Sequence, residues 1–197
     1  MMSDIIETFE KNNGTLKAIE LYSSGIKQRE IDKMLDCGKI TRIKRGYYQL
    51  ADIDEPNEAA IISKLFPEAI LCMDTALFYY NYSDRTPLEW CFAVDRNISK
   101  SRFKLSYPLF KPYYTEAKYL NIGITDAAIE GINMKIYDRE RVICDCLRQM
   151  NKMNRETFNK TIQAYINDPK KKIKNLSTYA KQLRVYNKAQ NFIGVWL

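Results

Sequence analysis

Histidine is absent from the sequence, and its absence removes the imidazole as acid, base and metal ligand, and with it any Ser-His triad. Cysteine is sparse and odd in number: Cys37, Cys72, Cys91, Cys144 and Cys146 are scattered along the chain. The chain starts MMSDIIETFEK, acidic and helical rather than basic and apolar. Reduced thiols and a cytoplasmic location are therefore expected. Cys144-Asp145-Cys146 makes no zinc site, because zinc takes four ligands in paired clusters and helix neighbours two apart point to different faces. Core packing is expected of this pair. Long apolar runs are lacking too, each being broken by charge well short of a membrane span. No metal, cofactor or membrane is expected.

Acid is scarce at one end only. Residues 147–197 hold eleven Lys/Arg against two Asp/Glu, residues 51–146 eleven against fifteen, and residues 1–50 nine against seven. The net charge of +7 is thus concentrated at the C-terminal end, with a smaller excess at the start. Such asymmetry points to a polyanionic partner. With 46% hydrophobic and 12% aromatic residues the chain has ample material for a packed core.

The most informative stretch is Gly25 to Leu50. Stepping 100° per residue brings Ile31, Met34 and Leu35 to one helical face and leaves Gln28, Arg29, Asp32, Lys33 and Asp36 on the other. Gly38 supplies the left-handed stop. After it the period falls to two, and a two-residue loop at Arg45-Gly46 pairs Lys44 with Tyr47, Ile43 with Tyr48, Arg42 with Gln49 and Thr41 with Leu50. That register turns Thr41, Ile43, Tyr48 and Leu50 inward. It turns Arg42, Lys44, Tyr47 and Gln49 outward, with Arg45 at the tip.

Upstream, Asp4 to Lys11 and Thr15 to Tyr22 read as two further helices. Three helices and a hairpin within 50 residues fit a winged helix-turn-helix whose third helix enters the major groove of double-stranded DNA while the ribbon follows the phosphates. Asp32 and Asp36 offset Arg29 and Lys33, so phosphate positioning by the ribbon is expected to outweigh base readout by the helix.

Asp52 to Asn57 is acidic, contains Pro56 and reads as a linker, dividing the chain into 1–55 and 56–197. Beyond it, helices are expected at Glu58–Phe66 and Asp74–Tyr80. Strands are expected at Glu89–Val94, Arg102–Tyr107, Lys118–Ile122, Ala127–Glu130 and Ile132–Tyr137, the last two joined at Glu130-Gly131. Helical periodicity then returns, with Asp138 and Asn154 as N-caps and a last helix from Ser177. The fold class is α+β: a winged helix-turn-helix, a mixed α/β domain and a basic helical tail.

One family joins these pieces. Leu21, Gly25-Ile26, Ile31, Leu35, Gly38, Ile40 and Arg45-Gly46-Tyr47-Tyr48 resemble the N-terminal winged helix of AbiEi-type antitoxins of bacterial type IV toxin–antitoxin (abortive infection) systems. Asp74-Thr-Ala-Leu-Phe-Tyr-Tyr, Thr86-Pro87, Gly131-Ile-Asn-Met-Lys-Ile, Tyr137-Asp-Arg-Glu-Arg141 and Asp145-Cys-Leu147 resemble that family's C-terminal domain in order and spacing. Coverage runs from about Thr15 to Leu147. The resemblance implies a non-enzymatic phage-defence antitoxin that represses its own operon at inverted repeats and neutralises a nucleotidyltransferase-like toxin. Inverted repeats would need two copies on DNA, which a monomer in solution can supply. The DNA face the resemblance implies is Gln28, Arg29 and Lys33 of the helix and Arg42, Lys44 and Arg45 of the wing, which Tyr47 joins from the outward face of the ribbon. Lys27 stands where the family tends to carry a serine or similar cap. The basic tail offers a candidate antitoxin surface: Lys170, Lys171, Lys172, Lys174, Lys181, Arg184 and Lys188.

Two other classes compete. Glu116-Ala-Lys118, with Asp74 or Asp95, matches the residue types of a Mg²⁺-dependent nuclease. The twelve aromatic residues between Phe78 and Tyr119 supply material for a ligand pocket in a one-component winged-helix regulator.

Overall fold

The computed structural model describes residues 2–51 and 56–194, and the expected linker falls largely on 52–55, outside the described residues. The protein is of mixed α+β architecture and packs as two compact units. One comprises Met1–Pro67 with Lys104–Pro108 and Ala128–Ile132, the other Glu68–Phe103, Leu109–Ala127 and Asn133–Leu197.

In the first unit, α1 (Met2–Glu10) is followed by β1 (Thr15–Lys17), α2 (Ala18–Ser23), α3 (Gln28–Asp36), β2 (Ile40–Lys44), β3 (Tyr47–Leu50) and α4 (Glu58–Leu65). The helix expected over Thr15–Tyr22 is therefore a strand and a shorter helix. Asn13 and Gly14 both have positive φ, which ends α1 and turns Thr15, Leu16 and Lys17 onto Gln49, Tyr48 and Tyr47 of β3. The resulting three-stranded sheet has the order β1-β3-β2. Its inner side closes a core of Ile5, Phe9, Leu16, Leu21, Ile26, Ile31, Met34, Ile40 and Tyr48.

The hairpin begins in the expected register, Lys44 opposite Tyr47, but slips by one residue: Arg42 faces Tyr48, Thr41 faces Gln49 and Ile40 faces Leu50. Ile43 is the extra residue of a bulge, which flips the strand beyond it. Thr41 is consequently exposed, and Gln49, in the central strand between Thr15 and Thr41, is buried. Both side chains stand opposite to the sequence-based assignment.

Both short helices begin without a hydroxyl or carboxylate cap. The backbone N–H of Lys17 donates to Glu20 at 2.6 Å, and that of Lys27 donates to Glu30 at 2.8 Å. The glutamate at the third helical position thus supplies the reciprocal half of a capping box. This starts α3 at Gln28 despite Lys27.

The second unit is built on β4 (Ile70–Leu71), β5 (Trp90–Asp95), β6 (Phe110–Thr115), β7 (Ile124–Ile129) and β8 (Ile132–Tyr137), in the order β6-β5-β4-β8-β7. The tip of the β7–β8 hairpin belongs to the first unit. β4 is antiparallel to β5 and parallel to β8, and β5 is parallel to β6. Its helices are α5 (Met73–Tyr79), α6 (Ala117–Leu120), α7 (Arg139–Gln149), α8 (Arg155–Asn167), α9 (Ile173–Gln182) and α10 (Tyr186–Ile193).

Three expectations are corrected here. Arg102–Tyr107 is a 3₁₀ turn (Lys100–Phe103) and loop, and Lys118–Ile122 contains α6 in place of a strand. The edge strand is instead β6, whose Pro112 argues against a strand by composition. Trp90 N–H donates to Leu109 C=O and Arg96 N–H to Thr115 C=O, so odd-numbered residues of β6 face β5. The missing N–H of Pro112 thus falls on the free edge, where proline is tolerated. Finally, α9 starts at Ile173 rather than Ser177 and ends at Gln182, two residues before Arg184, whose φ is +57°.

The Tyr137–Arg141 motif is spent on architecture. Asp138 caps α7 by accepting from Arg141 N–H at 2.9 Å, and Arg139 pairs with Asp168 at 2.7 Å. Glu140 accepts from Tyr165 and from Lys172 N–H. Arg141, 1% exposed, donates to the carbonyls of Tyr119 and Ile122 and to Asp145.

Candidate nucleic-acid interface

The outer face of α3 follows from the burial of Ile31 and Met34 beneath it: Gln28, Arg29, Asp32, Lys33 and Asp36 are all exposed. Gln28 is not idle. Its carbonyl accepts from the Tyr22 hydroxyl and its amide donates to Asp32 at 2.7 Å, a short relay across the exposed ends of α2 and α3. Reading a base edge with Gln28 would break that relay. Arg29 and Lys33 form no ion pair among the described residues.

The ribbon supplies Arg42 and Arg45, both exposed, with Lys44 and Tyr47 half-buried. Arg45 has no ion pair among the described residues, and the Arg42 guanidinium lies 5.7 Å from the Tyr48 ring. Because of the bulge, Arg42 sits opposite Tyr48 rather than Gln49. The tip is fixed: Gly46 takes φ +79°, and its carbonyl accepts from the N–H of Ala18, the first residue of α2, at 2.8 Å. Ribbon and helix pair are therefore held in one frame, with arginine at the turn.

Sequence reasoning missed Lys17. Placed in β1 opposite Tyr47, it brings its ammonium 5.9 Å over that ring and joins the ribbon's cations. The signal was available in Asn13-Gly14, which breaks the helix before Thr15.

No family model matches the chain, and no curated protein matches it. Charge and geometry alone therefore speak for this surface.

The tail residues differ in exposure and in engagement. Lys174 and Lys181 are exposed on α9, on the side away from buried Leu176 and Ala180. Lys181 stacks 5.1 Å over Tyr186. Lys170 and Lys172 flank the start of α9, exposed, while Lys171 points its ammonium at the Asp168 carbonyl. Lys188 is half-buried and donates to the Leu147 carbonyl at 3.0 Å, satisfying the end of α7. Arg184 is exposed and acts on Glu116 electrostatically. The Glu116 carboxylate itself is engaged by Lys118 at 3.0 Å and Arg96 at 3.1 Å. Among the described residues no three His, Cys, Asp or Glu side chains are grouped to hold a metal.

Proposed function

We propose that α1, β1, α2, α3 and the β2–β3 ribbon form a winged helix-turn-helix that binds double-stranded DNA. On this reading the chain is an AbiEi-type antitoxin that represses its own operon at inverted repeats, and its second unit carries the neutralisation of a nucleotidyltransferase-like toxin. The supporting observation is the run of exposed cations without ion-pair partners among the described residues, Arg29 and Lys33 on the helix and Arg45 at the ribbon tip, framed by the Gly46–Ala18 bond. Exposed cations in a fixed frame suit phosphates spaced along a duplex. The Gln28–Asp32 bond and the negative charge of Asp32 and Asp36 make the helix a weak reader of bases, so affinity rests on the ribbon.

Binding of operator DNA by the full chain, measured over a salt series, tests this. Arg42→Ala and Arg45→Ala should each weaken binding to all sequences alike and reduce the salt slope by about one. Unchanged affinity and slope in both variants would sink the assignment.

A further inference from the structure

Within the second unit, one face of β6 presents Lys111, Tyr113 and Thr115 at alternate positions. With Ala93 of β5, the register partner of Tyr113, these residues line a cleft of about 990 Å³. Alanine opposite tyrosine is what gives the cleft depth. Its walls come from the start of α5, the end of α7 and the segments on either side of them. A volume of this size exceeds that of a single amino acid and lies at the upper end of the range for small-molecule sites.

Most charges along the cleft are already matched. Lys111 pairs with Glu89 at 3.5 Å, Arg85 with Glu156 at 3.1 Å and Asp145 with Arg141 at 3.0 Å. Two charged lining side chains remain without a hydrogen bond or ion pair among the described residues, Asp74 on α5 and Lys152 just past α7. They belong to different walls. Asp74 lies in the field of Lys111 and Glu89, at the start of β6. Arg148, one turn before Lys152, donates through one guanidinium nitrogen to the Leu183 carbonyl at 2.6 Å and stacks 5.9 Å over Tyr119, beyond the end of β6. Lys111 and Thr115 are four strand residues apart, about 13 Å, which sets the length of the cleft between a carboxylate end and a cationic end.

Between the ends the lining is flat and soft: the Tyr113 ring with Met73 and Met153. Met73 is also held at φ +44°, a conformation unfavourable for a side-chain-bearing residue and one that collects at ligand clamps. An extended peptide is disfavoured, because Pro112 removes the strand donor at the middle of the free edge.

We propose that this cleft binds a nucleotide, with the amino edge of its base on Asp74, its ring plane against Tyr113, Met73 and Met153, and its phosphate on Lys152 and Arg148. The site rests on the second unit alone and stands or falls independently of DNA binding by the first.

Titration calorimetry of the full chain with AMP, CMP, UMP and ribose 5-phosphate tests it. AMP and CMP, whose bases carry an amino group, should bind saturably and more tightly than UMP, and ribose 5-phosphate should bind most weakly. Asp74→Ala should weaken AMP and CMP about tenfold, the order of one lost hydrogen bond to a charged group, while leaving ribose 5-phosphate unchanged. Lys152→Ala, at an exposed position where folding is not at stake, should weaken every phosphorylated probe. Absence of binding by all nucleotides overturns the proposal. So does ribose 5-phosphate binding as tightly as AMP, or AMP affinity untouched by both substitutions.

Discussion

Arg141 and Asp145 show how single residues can be spent entirely on the fold. The guanidinium stacks 4.0 Å over Tyr137 and is shared among two carbonyls and one carboxylate. Gly123 makes room for it: a Cβ there would stand 2.6 Å from the Arg141 Cβ, and its φ is +75°. Burial raises the Asp145 pKa, with Arg141 and Arg148 opposing. The folded chain thus holds that proton more tightly than the unfolded chain does. Its contribution to stability rises as pH falls, through a window that starts above the ordinary carboxylate range and ends within it. Asp168 is the reverse case: burial opposes ionisation, but hydrogen bonds from Tyr82 and Arg139 prevail and lower its pKa. Its stabilisation is complete above the ordinary range and is lost as pH falls below it. Thermal melts over acid pH should therefore diverge in opposite directions. Asp145→Asn should lose stability more steeply on acidification than the parent, and Asp168→Asn less steeply. Parallel profiles for the two would contradict these assignments.

Among the elements, the helices with strong periodicity or a named cap were legible: α3 from Ile31 and Met34, α7 from Asp138, α8 from Asn154. The Glu130-Gly131 turn was legible too, since both residues take positive φ. What was lost depended on tertiary pairing. Asn13-Gly14 marks where α1 ends, but that Thr15–Lys17 is a strand follows from its pairing with β3, and the slip of the hairpin at Ile43 has no local signature. β4 has two residues, too few for a pattern. α2 illustrates how a short helix depends on one side chain. Glu20 accepts both from Lys17 N–H at 2.6 Å and from Lys64 of α4 at 3.1 Å. Glu20→Ala should cost about 1–2 kcal/mol, whereas Lys64→Ala should cost less than about 1 kcal/mol. Urea unfolding of both decides whether the cap outweighs the ion pair, and equal losses would show that it does not.

On the scale of the whole molecule, the cations of the candidate interface were readable from sequence in kind but not in arrangement: Arg42 moved register, Gln28 proved engaged and Lys17 was missed. The cleft of the second unit was foreshadowed only by aromatic content, because its depth comes from Ala93 standing beside Tyr113. One apolar cluster of the first unit is drawn from residues between Ile5 and Tyr48, which gives the elements from α1 to β3 a core of their own, while the buried apolar side chains of α4, among them Ile61, Ile62 and Leu65, lie outside it. A fragment spanning residues 1–51 should accordingly unfold cooperatively, with lower stability than the whole because small domains bury a smaller share of their surface. On the proposed reading it should also keep the salt slope of the full chain on DNA. Circular dichroism melts and the same salt series check both, and an unfolded fragment would show that the core needs the rest of the chain.

The five thiols divide sharply. Cys72, Cys91, Cys144 and Cys146 are buried, and burial pushes all four up, Cys91 to about 11. Cys37 alone is exposed, at the C-terminal end of α3. Thiolate is the reactive form and needs access, so the folded protein offers a maleimide probe one address, beside the face proposed for DNA. A fluorophore placed there without any engineered cysteine reports on α3 directly, while labelling at the other four positions marks chains that have come unfolded.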